Sequence, residues 1–111
     1  VSFAAGDLVT VDFPGAIGIK RRPAVILSSA TYHATRPDVI VGLITSQMKG
    51  LGATDYLLQD WAQSELRVAS AFRSFIVTLP ASANIMQIGQ LSERDWKAVR
   101  ACVKTALAEL A

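Results

Sequence analysis

The stretch GIKRRPAVILSSA, residues 18–30, sets three cations directly before a proline and an apolar run. PAVILSSA (23–30) has the composition of a buried strand, with its proline at the first position, where a missing N–H is tolerated. The residues before it, GAIGIKRR (15–22), read as a loop with two glycines. Lys20, Arg21 and Arg22 then stand at the lip of a hydrophobic element. They form either one wall of a phosphate-binding loop or a solvated basic turn.

Outward from there, GDLVTVDFP (6–14) reads as a strand opened by glycine and closed by proline. YHATRPD (32–38) reads as a second loop, and VIVGLITS (39–46) as a β-branched central strand. QMKGLGA (47–53) turns the chain at Gly50 and Gly52. TDYLLQD (54–60) reads as a strand and WAQSEL (61–66) as no more than a helical turn. RVASAFR and FIVTLP read as one or two strands ending at Pro80, and NIMQIGQL (84–91) as a short strand with Gly89 as its stop. LSERDWKAVRACVKTALAEL (91–110) is the clearest element: Ser92 is its N-cap, with Asp95 three residues on. Trp96, Val99, Val103, Ala106 or Leu107, and Leu110 recur at helical spacing, while Lys97, Arg100 and Lys104 form the outer face. The expected class is mainly β with a C-terminal α-helix (α+β), a small, strongly bent sheet or barrel with the helix packed on it.

Length and composition bound the function classes. The 111 residues suit one domain, 1–111, with a single core. Charged residues are only 18%, below the usual quarter or so, so part of the surface is expected to be apolar and covered in a homodimer. A net charge of +2 permits an anionic partner without demanding one. Cys102 is the single cysteine, which excludes an intrachain disulfide and fits a reducing compartment. With His33 the single histidine, the usual tetrahedral zinc sites are excluded, and no metal or cofactor is expected. No apolar run reaches the roughly 18 residues of a membrane span, and VSFAAGDLV lacks the pattern of a signal peptide, so a cytoplasmic protein is expected.

Four stretches, GDLVTVDF (6–13), RRPAVILSS (21–29), ITSQMKG (44–50) and IGQLSERDW (88–96), resemble the PemK/MazF-like toxins of bacterial type II toxin–antitoxin modules, in order and at roughly the family's spacing. The resemblance implies an SH3-like small β-barrel of the PemK/MazF/CcdB type and a homodimer. It also implies metal-independent, sequence-specific cleavage of single-stranded RNA such as mRNA, and a cognate antitoxin that neutralises the toxin.

RNA is cut without metal when its own 2'-OH attacks the neighbouring phosphate. The site must then stabilise charge on the phosphoryl oxygens, accept the 2'-OH proton and protonate the leaving 5'-oxygen. A guanidinium suits the first task, because its planar fork bonds two oxygens and stays charged. Arg22 matches the family's arginine before the proline, and Thr45 its threonine-containing turn; these are the expected catalytic residues. Ser46, Ser70 and Arg73 are expected to support them, with Arg73 read equally as an ion-pair partner of Asp55 or Asp60. Lys20, Arg21, Gln47 and Lys49 are the expected RNA contacts. The proton acceptor is open among Glu65, Asp55, Asp60 and His33. Trp61 is either a base-stacking residue or a core contact. Trp96 and Cys102 are expected in the core, and Asp7 and Asp12 in turn formation and strand-edge solvation.

The chain departs from the family pattern in three places. RSFIVTLP has no carboxylate after Arg73, and the loop before RRP is short and lacks acidic residues. Glu65 stands where glycine is usual, in a turn where positive φ would strain it. Two other functions remain open on these residues: a gyrase-poisoning toxin on the same fold, and a catalytically impaired binding module.

Overall fold

The computed structural model describes residues 3–108. β1 (Asp7–Gly15) and β2 (Gly18–Ile26) form a hairpin whose last pair is Gly15 opposite Gly18. Residues 18–22 are therefore strand, not loop as their composition suggests. The partner strand supplies the reason: Arg21 lies opposite Asp12 and bonds its carboxylate at 3.2 Å. A cross-strand opposite-charge pair stabilises pairing that a run of cations alone would oppose.

Pro23 sits inside β2, with Thr10 opposite it on β1. It is accommodated because the ladder to β3 (Val39–Thr45) begins only at Ala24, opposite Leu43. Proline has no N–H to give, so the β2–β3 ladder stops there. Val25 lies opposite Gly42 and Ile26 opposite Val41. Carried two residues further, that register sets Pro23 against Ile44 and Arg22 against Thr45, across a gap where the strands are no longer bonded. Arg22 and Thr45 thus share one side of the sheet, because facing positions in a ladder do.

β4 is only Tyr56–Leu57; the remaining residues of TDYLLQD are turn and loop. β5 (Ala71–Leu79) is one strand that ends before Pro80, and β6 (Met86–Gln90) runs through Gly89 instead of stopping there. All pairs are antiparallel, in the order β4-β5-β3-β2-β1-β6. Register shifts at Leu8/Val9 and Gly42/Leu43 bend the sheet into a curled half-barrel. At the second bend a Cβ on Gly42 would lie 2.4 Å from the Phe72 ring, so only glycine lets that ring cross the strand.

Each side of the sheet is covered. Val9, Val11, Phe13, Ile26 and Val41 pack with Leu79 on one side. Leu8, Val25, Ile44 and Phe72 pack on the other against Val99 and Cys102 of α2 (Glu93–Ala106). α2 is capped as expected, the Ser92 hydroxyl accepting the Asp95 N–H at 3.2 Å. The helix ends at Ala106 with Leu107 as its exposed C-cap, and Leu110 lies outside the described residues. YHATRPD is not wholly loop, since Ala30–Thr35 form α1, capped by Ser29. No helix among the described residues is long and apolar enough to cross a membrane.

Residues 58–70 connect β4 to β5 and pass beside β6. Asp95, fully buried on α2, fixes the start of this segment by accepting from the Tyr56 hydroxyl (2.8 Å) and the Gln59 (3.0 Å) and Asp60 (2.8 Å) amides. Further along, the turn at Ser64 lies so close to β6 that a Cβ on Gly89 would meet the Ser64 carbonyl oxygen at 2.4 Å.

Candidate active site

Where the β2–β3 ladder stops, the segment 64–70 closes over the gap and leaves a cavity of about 550 Å³. Six of the nine residues expected at the site line it: Arg21, Arg22, Thr45, Ser46, Gln47 and Ser70. Lys20, Lys49 and Arg73 do not. Glu65 and Arg67 line it from the facing segment, so three guanidinium groups and one carboxylate surround the same space. Arg67 carried no signal in the sequence; no local composition marks it, and its place follows from how 58–70 folds back over the strands.

The cations differ in how they are held. Arg21 is occupied: it bonds Asp12 at 3.2 Å and donates to the Thr10 hydroxyl at 2.9 Å. Asn84 donates to the same Asp12 carboxylate at 2.7 Å, and these bonds hold it below the usual carboxylate range, Asn84 contributing most and Arg21 next. Arg22 is half-buried and has no ion-pair or hydrogen-bond partner among the described residues. Burying a charge without a partner is costly. A guanidinium left so at a cavity wall has its N–H groups free for an anionic partner.

Thr45 is buried at the end of β3, and its Oγ1 accepts the Gln47 N–H at 3.1 Å. That bond closes the strand and orients the hydroxyl, whose proton remains free to donate. Ser46 and Gln47 are exposed beside it. Ser70 is buried and donates to the Val68 carbonyl at 2.9 Å, which shapes the facing segment. Arg73 is spent on structure. It pairs with Asp55 at 3.4 Å and donates to the carbonyls of Gln47, Lys49 and Gly50, gathering the loop that follows Thr45.

The carboxylates and the histidine separate in the same way. Asp55 accepts from Arg73 and the Gly52 and Ser74 amides. Asp60 accepts two bonds from Arg94 and one from Ser92, Arg94 being the larger cause of its lowered pKa. His33 bonds Ser28 at 2.5 Å and lines a different cavity, of about 360 Å³. Glu65 alone of these groups lines the basic cavity, and it holds φ +71, the left-handed conformation its position suggested. Two bonds define the turn: the Glu65 amide donates to the Ala62 carbonyl at 3.2 Å and the Leu66 amide to the Trp61 carbonyl at 3.1 Å. This is a Schellman closure, whose left-handed residue is ordinarily glycine.

The remaining expectations have plain placements. Trp61 and Trp96 pack partly buried against the helix-side core. Cys102 is buried, and burial pushes its thiol pKa up, so it is held as an unreactive thiol. Asp7 accepts the Ala4 amide in a turn at 2.9 Å.

The chain is thus a curled antiparallel half-barrel with a C-terminal helix, opened at its central strands into a cavity lined by three arginines. The family model of the PemK-like, MazF-like toxins of type II toxin–antitoxin systems matches residues 4–107, and the chain belongs to that family. A MazE-MazF crystal structure from Deinococcus radiodurans is 25% identical, with TM-score 0.75 over 96% of this chain and 95% of that one. An endoribonuclease in complex with its cognate antitoxin, from a mycobacterial species, shares the fold at 16% identity, with TM-score 0.75 over 95% and 94%. The Mycobacterium tuberculosis toxin MazF-mt6 does so at 24%, with TM-score 0.71 over 90% and 94%. A comparison with curated protein sequences returned no match.

Proposed function

We propose that the chain is a sequence-specific endoribonuclease that cuts single-stranded RNA through attack of a 2'-OH on the adjacent phosphate. The observation that carries this reading is Arg22, half-buried and without a partner among the described residues, lining one cavity with Thr45. In the reaction the 2'-oxygen–phosphorus bond forms and the phosphorus–5'-oxygen bond breaks, leaving a cyclic phosphate and a 5'-OH. Negative charge grows on the two non-bridging oxygens. Arg22 takes that charge with its paired N–H groups, and Thr45 donates its hydroxyl to one of the oxygens. Because Pro23 fixes the backbone beside it, Arg22 is directed at lower entropic cost. Glu65 is the carboxylate within the cavity and takes the 2'-OH proton in this reading; solvent protonates the leaving oxygen. None of these steps requires a bound metal.

Ser46 and Gln47, exposed at the end of β3, are placed to read base edges, and Lys20 and Lys49 add phosphate contacts outside the cavity. An antitoxin is the expected protein partner, its acidic and apolar segment laid over the basic opening and exposed Val68. A homodimer would cover Ile17, Ile19 and Phe75, which are 89%, 73% and 51% exposed. Growth restraint in the cytoplasm follows from cleavage of mRNA. The test is cleavage of a defined single-stranded RNA, paired with the same strand carrying one 2'-deoxy nucleotide before the cut. Cleavage of the first and survival of the second support 2'-OH attack; cleavage of both excludes it.

A further inference from the structure

We infer that Arg67 is a second phosphate-binding residue of this cavity, gripping a phosphate that flanks the scissile one; the inference rests on the ribonuclease reading above. A census of the arginines motivates it. Arg21, Arg36, Arg73 and Arg94 each pair with an aspartate, and Arg100 lies over the Trp96 ring at 5.6 Å. Among the described residues Arg22 and Arg67 have no such partner, and both line the same cavity. Like charges gathered in one space, neither of them in an ion pair, are unfavourable until an anion enters. Arg21 is neutralised by Asp12, and the one carboxylate lining the space, Glu65, forms no ion pair with either free arginine. The cavity therefore has unspent charge on two elements that line it, β2 and the segment 64–70.

Arg67 also differs from an ordinary loop arginine in what surrounds it. On one side the Leu66 amide closes the turn by donating to Trp61, and the Leu66 side chain packs on the core. On the other side the Val68 carbonyl is fixed by the Ser70 hydroxyl. Its backbone is pinned at both neighbours, so the side chain rises from a rigid base and loses less freedom when it grips a phosphate. A charge-assisted bond of this kind changes affinity without touching the bond that breaks.

The experiment measures binding of a single-stranded RNA with a 2'-deoxy nucleotide at the mapped cut, across salt concentrations, for wild type, Arg67→Ala and Arg67→Lys. Arg67→Ala should bind about tenfold more weakly. Its slope of log affinity against log salt should fall by about 0.7, the share of one phosphate contact on a single strand. Arg67→Lys should recover the slope. In cleavage assays Arg67→Ala should raise KM and leave kcat unchanged. Replacing one flanking phosphate at a time by a neutral methylphosphonate should identify a position at which Arg67→Ala has no further effect. Wild-type affinity and slope in Arg67→Ala, with cleavage by wild type intact, would overturn the inference alone. A wild-type protein that neither binds nor cuts single-stranded RNA would overturn both the inference and the function on which it rests.

Discussion

Replacing Glu65 by glycine should make the protein more stable while impairing its chemistry. Glu65 holds φ +71 at the left-handed position of the turn closed by Ala62 and Trp61. An L-residue there costs about 1–2 kcal/mol, through contact of its Cβ with backbone. Glycine removes that cost but adds freedom to the unfolded chain, which takes back about 0.5–1 kcal/mol. The balance lies between about 0 and 1.5 kcal/mol, with a gain of about 0.75 kcal/mol expected, or roughly 3 °C in Tm for a chain of this size. Thermal unfolding followed by circular dichroism, at matched protein concentration, reads it directly. Glu65→Gln is the control, because it removes the charge and keeps the strained backbone: its stability should stay within about half a kcal/mol of wild type. If Glu65 takes the 2'-OH proton, both variants should lose about 10²-fold or more in kcat. A strained residue retained at a reacting centre is a familiar exchange of stability for function. A Glu65→Gly protein no more stable than wild type would refute the backbone argument. Faster cleavage in both variants would show that the carboxylate opposes the incoming phosphate instead of serving the reaction.

Other outcomes follow from the same geometry. Gly89→Ala places a Cβ 2.4 Å from the Ser64 carbonyl oxygen, so the turn must shift, at about 1–3 kcal/mol, and KM for RNA should rise with it; unchanged KM would show the wall is not held by that contact. Asp95→Ala strips three part-buried donors of their acceptor and should cost about 3 kcal/mol or more in urea unfolding, while a loss under 1 kcal/mol would contradict the role given to that carboxylate. Tyr56, pushed up to about 12 by burial and then by Asp95, contributes stability that is full below about pH 10 and lost as pH rises toward 12. At the acid end, Asp38 is lowered to about 2, chiefly by Arg36 and next by Tyr32, and Asp12 and Asp60 are lowered as well. Their contribution is present above the unfolded value near 4 and is lost as pH falls toward 2, so acid unfolding should begin in that window and start at higher pH in Arg36→Ala.

The four stretches that carried the family resemblance fall on β1, on β2, at the end of β3 and at the step from β6 into α2. Each was readable because its signal is local: β-branched runs, a proline, a capping serine. The strain at Glu65 was legible too, since a single position against a glycine preference carries the whole inference. What stayed hidden depends on partners far along the chain. Strand character at residues 18–22 needs Asp12 across the hairpin, and the tolerance of Pro23 inside β2 needs a β3 ladder that stops one residue short. The clamp of Arg73 on the loop after Thr45, and the place of Arg67 over the cavity, both arise from tertiary folding. Neither leaves a pattern in sequence. Of the two ion pairs offered for Arg73 the structure forms the one with Asp55, while Asp60 pairs with Arg94, 34 residues away, a contact with no local sign in the sequence.

The most direct test of the account is cleavage of a mixed single-stranded RNA by wild type and Arg22→Ala in the presence of EDTA, with the new ends mapped. The account predicts cyclic phosphate and 5'-OH ends from wild type. It also predicts a loss of about 10²–10³-fold or more in Arg22→Ala at unchanged Tm. Products bearing 5'-phosphates, cleavage undiminished in Arg22→Ala, or no cleavage by a folded wild-type protein would contradict it.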